Sequence, residues 1–162
     1  MMTLYFSLWS KHVNPLLVQE PSVDYALKLL YDGLYGLDEN YNLTLRLAQS
    51  STFSNENKML KIYLREDAKW HSGRRVGAED VKYTVEYLKA HPESPYHHMV
   101  QNINRVSILS DNSFAIYLVN SDPFVRYDLL FPIIRKGAGA NNPFKLDGTG
   151  KYRFDGYESV ET

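Results

Sequence analysis

The sequence predicts an α+β domain with a mixed, mainly antiparallel sheet and helices packed on it. Two pairs of short apolar runs are separated by polar turn residues, at 55–57 in the first pair and at 110–112 in the second. This is the pattern of β-hairpins. Two longer stretches repeat their apolar residues at helical spacing. Hairpins beside helices indicate a sheet that is covered on one side.

The first elements are a strand at 3–9, an Asn14-Pro15 turn and a helix. Ser22 follows Pro21 and is predicted as the N-cap of that helix, since serine accepts a hydrogen bond from the first free N–H groups. Gly33 and Gly36 are expected to close it. Its apolar face comprises Val23, Ala26, Leu27, Leu30 and Leu34.

The first hairpin joins residues 52–54 to residues 59–64. In the second of these strands apolar and polar residues alternate, which predicts one face on the core and one in water. A turn follows at Ser72-Gly73, where glycine can adopt positive φ. A second helix is predicted to start near Ala78 and to stop before Pro92, which cannot continue it.

The second hairpin joins residues 106–109 to residues 114–118. After it, Asp122-Pro123 has the N-cap and first-turn chemistry of a short helix through Leu130. The glycine-rich stretch 137–143 is predicted to be a loop.

Composition favours a single globular domain. The 162 residues are 44% hydrophobic and 23% charged, which is an ordinary balance for a chain with a real core. A net charge of -1 provides no surplus of cations for nucleic acid. No apolar run approaches the roughly 20 residues that span a bilayer. The start of the sequence lacks signal-peptide features, and the absence of cysteine leaves the compartment open.

Three groups of residues imitate chemical sites. His91, His97 and His98 are conceivable zinc ligands, but no carboxylate completes a helical pair, so a surface loop is favoured. Residues 38–49 begin like a calcium loop but lack its glycine and glutamate. Residues 148–151 do not match a phosphate loop. We therefore predict no catalytic residue, no metal site and no cofactor.

The stretch 60–81 carries an ordered signature. A strand ending in Leu-Arg leads to a Lys-Trp-x-x-Gly turn and then to an Ala-Glu-Asp-Val helix. It resembles the signature of the family 5 extracellular solute-binding proteins, the peptide- and nickel-type receptors of ABC importers. The matching residues are Leu64, Arg65, Lys69, Trp70, Gly73, Ala78, Glu79, Asp80 and Val81.

Further landmarks of that family appear in the same order along the chain. Asn14-Pro15 is similar to its first turn, 30–34 to its Tyr/Phe-Glu-Gly-Leu pattern, and 47–50 to its Leu-Ala-Glu-Ser element. The proline that normally precedes this last element is absent, and Arg46 stands nearby. The Gly-Thr-Gly-Pro-Tyr signature is matched by Gly148, Thr149, Gly150 and Tyr152, with Lys151 in place of proline.

The resemblance implies part of a periplasmic-binding-protein-like, type II, two-lobe fold. Residues 1–36 would supply the first strand and helix of the main lobe, 37–146 the outer subdomain, and 147–162 a return strand towards the main lobe. In the family a second, ligand-closing lobe follows the Gly-Thr-Gly segment. We therefore expect an N-terminal fragment that binds poorly alone, because a hinged clamp needs two faces.

The implied function is the substrate-binding component of an ABC importer for oligopeptides or similar solutes, with a membrane permease as partner and no nucleic acid. The full-length protein would act at the extracellular face of the membrane or in the periplasm, lipid-anchored. By resemblance, Leu8, Trp9 and Ser10 border the ligand cleft, although Trp9 could equally be a core residue. His71 is interpreted as structural.

Two other hypotheses stay open. Some cytoplasmic transcription regulators carry a similar solute-binding module behind a DNA-binding domain, which would place the protein in the cytoplasm. An interaction domain with an exposed apolar patch around Trp9 or Tyr152 is the third. The ligand is also open, because peptides, nickel chelates and sugars are all carried by proteins with similar scaffolds.

Overall fold

The computed structural model describes residues 14–138 and 146–155. The strand expected at 3–9, and most of the loop expected at 137–143, lie outside these ranges. Among the described residues the regular elements are α1 (Pro21–Leu30), β1 (Tyr35–Leu37), β2 (Leu43–Leu45), β3 (Ala48–Ser54), β4 (Met59–Leu64), α2 (Ala78–Ala90), β5 (Ile103–Ser110) and β6 (Ser113–Leu118), with 3-10 turns at His97–Val100 and Val125–Asp128.

An antiparallel sheet of four strands forms the centre, in the order β3-β4-β6-β5. Ile62 is paired with Phe114 and lies with it on the inner face, and both are fully buried. Tyr63, the next residue along β4, points to the opposite face and is 38% exposed. The α+β class and the covering of one sheet face are therefore confirmed, as are both predicted hairpins.

Helix α2 packs against β5 and follows the prediction closely. It begins at Ala78 and ends at Ala90, two residues before Pro92. Its last carbonyl groups receive imidazole N–H groups, from His91 to Tyr87 O at 2.7 Å and from His97 to Leu88 O at 2.7 Å. Two of the three clustered histidines therefore supply hydrogen-bond donors to carbonyl groups at the C-terminal end of α2.

Helix α1 differs from its prediction at both ends. Glu20 is the N-cap and Pro21 occupies the first turn, so Ser22 is not the cap. Proline suits this place because its fixed φ is helical and its missing N–H would have no partner there. The helix stops at Leu30, and Leu34 is buried beyond it. Gly33 is required by close packing, since a Cβ there would approach Phe131 O at 2.8 Å.

The sequence did not predict the hairpin of β1 and β2. Its turn is built by Asp38, whose Oδ1 accepts hydrogen bonds from the backbone N–H groups of Asn40 at 2.8 Å and Asn42 at 2.9 Å. This is an Asx-type turn, which explains the resemblance of the stretch to a calcium loop. The hydrogen bonds also hold the pKa of the Asp38 carboxyl below its usual value.

The helix predicted from Asp122 to Leu130 is wrong in extent and type. Asp122 does cap the backbone N–H of Phe124 at 2.9 Å. The chain then forms only the 3-10 turn, with Tyr127 N–H bonded to Phe124 O at 3.0 Å. In the part of the chain that the structure describes, no helix is long and apolar enough to cross a bilayer.

Candidate functional site

The signature residues meet at a joint between the start of α2, the turn before it and the segment 146–155. Trp70 is 2% exposed, and its indole N–H donates to Asp80 Oδ2 at 3.3 Å. Asp80 is the third residue of α2 and is itself buried. The turn and the helix that follows it are thus connected through side chains.

Asp80 accepts two further hydrogen bonds. Its Oδ2 receives the N–H of Gly77 at 2.9 Å, which satisfies a donor at the helix start. Its Oδ1 receives the N–H of Lys136 at 2.8 Å. Because all three donors point at the carboxylate, only a group with two acceptor oxygens satisfies them.

Thr84 connects the same two segments one turn further along α2. Its hydroxyl donates to Asp80 O at 2.8 Å and accepts the N–H of Ile134 at 3.1 Å. Thr84 is fully buried, so its hydroxyl needs these partners. The chain at 134–136 is thereby fixed along the start of α2.

The Gly-Thr-Gly segment lies against the C-terminal end of α1. The N–H of Gly150 donates to Leu30 O at 2.8 Å, and the N–H of Tyr152 donates to Leu29 O at 3.1 Å. These carbonyl groups are at a helix end and have no partner within the helix. A Cβ at Gly148 or Gly150 would collide with the carbonyl oxygens of Leu30 or Leu29. Both glycines are thus required by close backbone approach.

This segment is not a strand in the described residues. Residues 147–155 form no sheet pairing, and the end of α1 takes the place of a strand partner. Thr149 adds a side-chain contact, since its hydroxyl oxygen accepts the N–H of Asp32 at 3.1 Å. The return strand expected at 147–162 is therefore wrong for 147–155, and its remaining residues lie outside the description.

The turn at 71–72 is the other contact surface of the segment. His71 N–H donates to Gly148 O at 2.8 Å. Asp147 accepts from Ser72 N–H at 2.9 Å and from the Ser72 hydroxyl at 2.6 Å. Arg135 completes the environment of this carboxylate at 3.2 Å. Gly73, at the tip of the turn, has φ of 96°, as the sequence predicted.

Two titratable groups at the joint are perturbed by burial. Burial and the neighbouring Asp147 raise the pKa of the Tyr31 hydroxyl well above its usual value. Burial also raises the pKa of the Asp32 carboxyl, although Arg46, Arg65 and His71 oppose the change. Loss of hydration therefore outweighs the attraction of the neighbouring basic side chains for the Asp32 carboxylate.

The described residues also form an open groove of about 610 Å³. Arg65 lines this groove, and its guanidinium group donates to both carboxylate oxygens of Asp67, at 3.0 and 2.8 Å. The lining residues are Leu45, Ala48, Gln49, Arg65, Glu66 and Asp67. Within the described ranges, no three His, Cys, Asp or Glu side chains converge on a point that could hold a metal ion.

The signature residues divide into two groups by position. Leu64, Ala78 and Val81 belong to the core. Arg65 and Glu79 are at the surface, where each pairs with a nearby charge, Asp67 and Lys136 respectively. The signature thus supports the joint, and none of its described members forms an enclosed ligand pocket.

The proposed cleft residues Leu8, Trp9 and Ser10 lie outside the described residues. The description begins at Asn14, whose side chain donates to the Tyr87 hydroxyl at 3.0 Å and accepts Leu16 N–H at 3.0 Å. The Ser94 hydroxyl bonds to Leu16 O. The Asn-Pro turn is therefore anchored to the end of α2. Sequence reasoning missed Thr84, Ser94 and Asp147, because polar residues in ordinary contexts carry no local signal.

The chain is similar to known proteins in sequence and in fold. The family described as "Bacterial extracellular solute-binding proteins, family 5 Middle" matches residues 42–162. Among solved structures, NikZ from Campylobacter jejuni in complex with Ni(L-His) is 25% identical, with a TM-score of 0.77, over 94% of this chain and 32% of its own.

Two peptide-bound structures are also similar in fold. AppA from Bacillus subtilis, in complex with a nonapeptide, is 22% identical, with a TM-score of 0.75, over 90% of this chain and 32% of its own. The dipeptide binding protein from Pseudoalteromonas sp. SM9913, in complex with Met-Leu, is 22% identical, with a TM-score of 0.73, over 91% of this chain and 35% of its own. The chain thus spans about a third of the length of these structures.

Proposed function

The chain belongs to the bacterial extracellular solute-binding proteins of family 5, and we propose that it forms part of the substrate-binding component of an ABC importer that takes up oligopeptides or similar small solutes. Proteins of this family bind their solutes and are not enzymes. The mechanism is closure of two lobes on a solute and delivery to a membrane permease. No covalent step is involved.

The joint at Gly148–Tyr152 is the observation that carries this proposal. It attaches the segment 146–155 to α1 through Leu30 O and to the 71–72 turn through Gly148 O. We assign residues 1–36 to the main lobe, 37–146 to an outer subdomain and 147–162 to the return of the chain towards the main lobe. A firmly attached segment at this place would support hinge closure, since a hinge needs a fixed body on each side.

Leu8, Trp9 and Ser10 remain our candidates for the rim of the ligand cleft. Support comes from the anchoring of Asn14 to Tyr87, which holds the chain that follows them in one place. An extended peptide loses conformational entropy when it is clamped, so backbone hydrogen bonds and burial between two lobes must offset that loss. Residues 1–162 alone should bind weakly.

The compartment follows from the same proposal. We place the full-length protein outside the cytoplasmic membrane, at the cell surface or in the periplasm, anchored by lipid. Cell fractionation tests this placement. A cytoplasmic location would favour the alternative of a ligand-sensing transcription regulator.

The binding test compares the full-length protein with residues 1–162. Isothermal titration with a mixture of di- to nonapeptides, and separately with Ni(L-His), should detect one site on the full-length protein. Trp9→Ala should weaken it, whereas Tyr41→Ala, an exposed aromatic far along the chain, should not. Equal affinity of residues 1–162 and the full-length protein, at one ligand per chain, would contradict the proposal.

A further inference from the structure

The imidazole of His71 lies between two glycines of the Gly-Thr-Gly segment. Its Nε2 is 2.8 Å from Gly150 O, and its Nδ1 is 3.3 Å from the backbone nitrogen of Gly148. A carbonyl oxygen only accepts and a backbone N–H only donates. The ring must therefore present N–H at Nε2 and a lone pair at Nδ1.

We propose that His71 is a positioning residue for the segment 146–155. Its ring is held neutral as the Nε2–H tautomer, and the segment loosens when the ring takes up a proton. A protonated ring carries N–H on both nitrogens. The second N–H would face the N–H of Gly148, so that hydrogen bond would be lost. The bond from Nε2 to Gly150 O would remain.

The segment offers no side chain that could replace this contact. Gly148 is buried, and its N–H has the His71 ring as its acceptor. A Cβ at Gly148 would also approach Cε1 of the ring at 3.2 Å, so the ring packs on bare backbone. The N–H of His71 holds Gly148 O at 2.8 Å from the other side. One residue thus makes three hydrogen bonds to the segment.

The charged neighbours of the ring act in opposite directions. Asp32 is close enough to His71 for a charged ring to lower the pKa of the Asp32 carboxyl, so this carboxylate favours a charged ring. Arg46 and Arg65 also attract the Asp32 carboxylate, so the His71 ring is not its only basic neighbour. The hydrogen bond from Gly148 N–H to Nδ1 requires the neutral ring, because a proton on Nδ1 removes that bond. The charged or titratable groups around this junction are Tyr31, Asp32, Arg46, Arg65, Arg135 and Asp147.

The consequence for transport rests on the proposed function. If closure of the two lobes depends on a firmly held segment 146–155, protonation of His71 weakens the attachment of that segment. Protonation of the ring would then change the mobility of the segment without changing the core. The tautomer and the loss of the Gly148 bond do not depend on that function.

The first test is nitrogen NMR of the His71 ring in the folded chain. At neutral pH the Nε2–H tautomer is expected. Amide exchange is then followed as the pH is lowered, as a protection factor relative to the unfolded rate at each pH. Protection of Gly148 should fall about fivefold or more when the ring is protonated, as expected for the loss of one hydrogen bond. Protection of Gly150, bonded to Leu30 O, should persist.

Two variants separate this role from general support of the fold. His71→Gln keeps a donor near the position of Nε2, and His71→Asn keeps an acceptor near Nδ1, and neither titrates. Both should abolish the pH dependence of Gly148 protection, whereas His98→Gln, an exposed histidine, should retain it. A Nδ1–H tautomer, a ring charged at neutral pH, or Gly148 protection unchanged by protonation would overturn the proposal.

The tautomer is measured on the unaltered chain, so the test survives if a variant does not fold. If the full-length protein binds peptide but the protection of Gly148 does not depend on pH, the role of His71 is refuted and the proposed function is not. The expected tautomer without any solute binding would refute the proposed function alone.

Discussion

The indole N–H of Trp70 reaches Asp80 Oδ2 at 3.3 Å and connects the turn at 70–73 to the first turn of α2. Both side chains are buried, at 2% and 8% exposure. A carboxylate in such a place is stable only when its oxygens are hydrogen-bonded, and Gly77 and Lys136 supply the remaining N–H groups. The relationship explains why an aromatic residue and an acid at this spacing accompany the helix start.

Asp80→Asn should destabilise the fold by roughly 3 kcal/mol, because the amide offers one acceptor oxygen and turns its NH₂ towards buried donors. Urea unfolding monitored by tryptophan fluorescence measures the change. Glu79→Gln on the same helix is the matched control, since its pair with Lys136 is 62% and 59% exposed. The control should cost less than about 0.5 kcal/mol. A similar loss in both variants would remove the special role of Asp80.

Gly150→Ala should destabilise the joint by about 1 to 3 kcal/mol, because its methyl group would collide with Leu29 O unless the backbone moves. Thermal unfolding measures this. Gly36→Ala is the control, since a Cβ there would meet mainly the movable side chain of Arg46, with Nε at 2.7 Å. If both substitutions cost the same, the segment does not approach α1 as closely as described.

Glu56→Gly should stabilise the chain. Asn55, Glu56 and Asn57 all have positive φ, of 51°, 53° and 62°. This conformation costs about 1 to 2 kcal/mol for a residue with Cβ, while glycine loses about 0.5 to 1 kcal/mol through its freer unfolded chain. A net gain of about 0.5 to 1 kcal/mol is expected in urea unfolding. Asn55→Gly should gain less, because asparagine tolerates this region; an unchanged or lower stability of Glu56→Gly would contradict the interpretation.

Asp32→Asn should raise stability at neutral pH and reduce its pH dependence. Burial raises the pKa of this carboxyl above 3.8, so the folded state binds the proton more tightly than the unfolded state. Stability therefore falls as the pH rises from about 3.8 through the raised folded value. Urea midpoints between pH 3.5 and roughly pH 7 test the sign. A steeper slope in Asp32→Asn than in the unaltered chain would reverse our assignment.

Local patterns were sufficient for the elements with strong periodicity. The alternation in β4 and the helical spacing from Ala78 to Ala90 predicted both elements because each has one face on the core. The hairpin of β1 and β2 was missed, because its strands have three residues each and too few side chains for a period to appear. The end of α1 was misplaced at Gly33, a glycine that is needed for contact with Phe131 O.

The amino-acid sequence by itself determined the α+β class, the two hairpins and the start of α2, since each depends on residues close together in the chain, and it determined the family through short motifs in a fixed order. Only the tertiary structure decided what those residues touch. Gly150 meets Leu30, and His71 meets Gly148, across long stretches of chain. Such contacts come from the packing of α1, the 71–73 turn and the 146–155 segment together. The glycines mark a close approach, but the groups they meet are backbone carbonyl and N–H groups, which have the same chemistry at every position and so cannot be identified from the sequence.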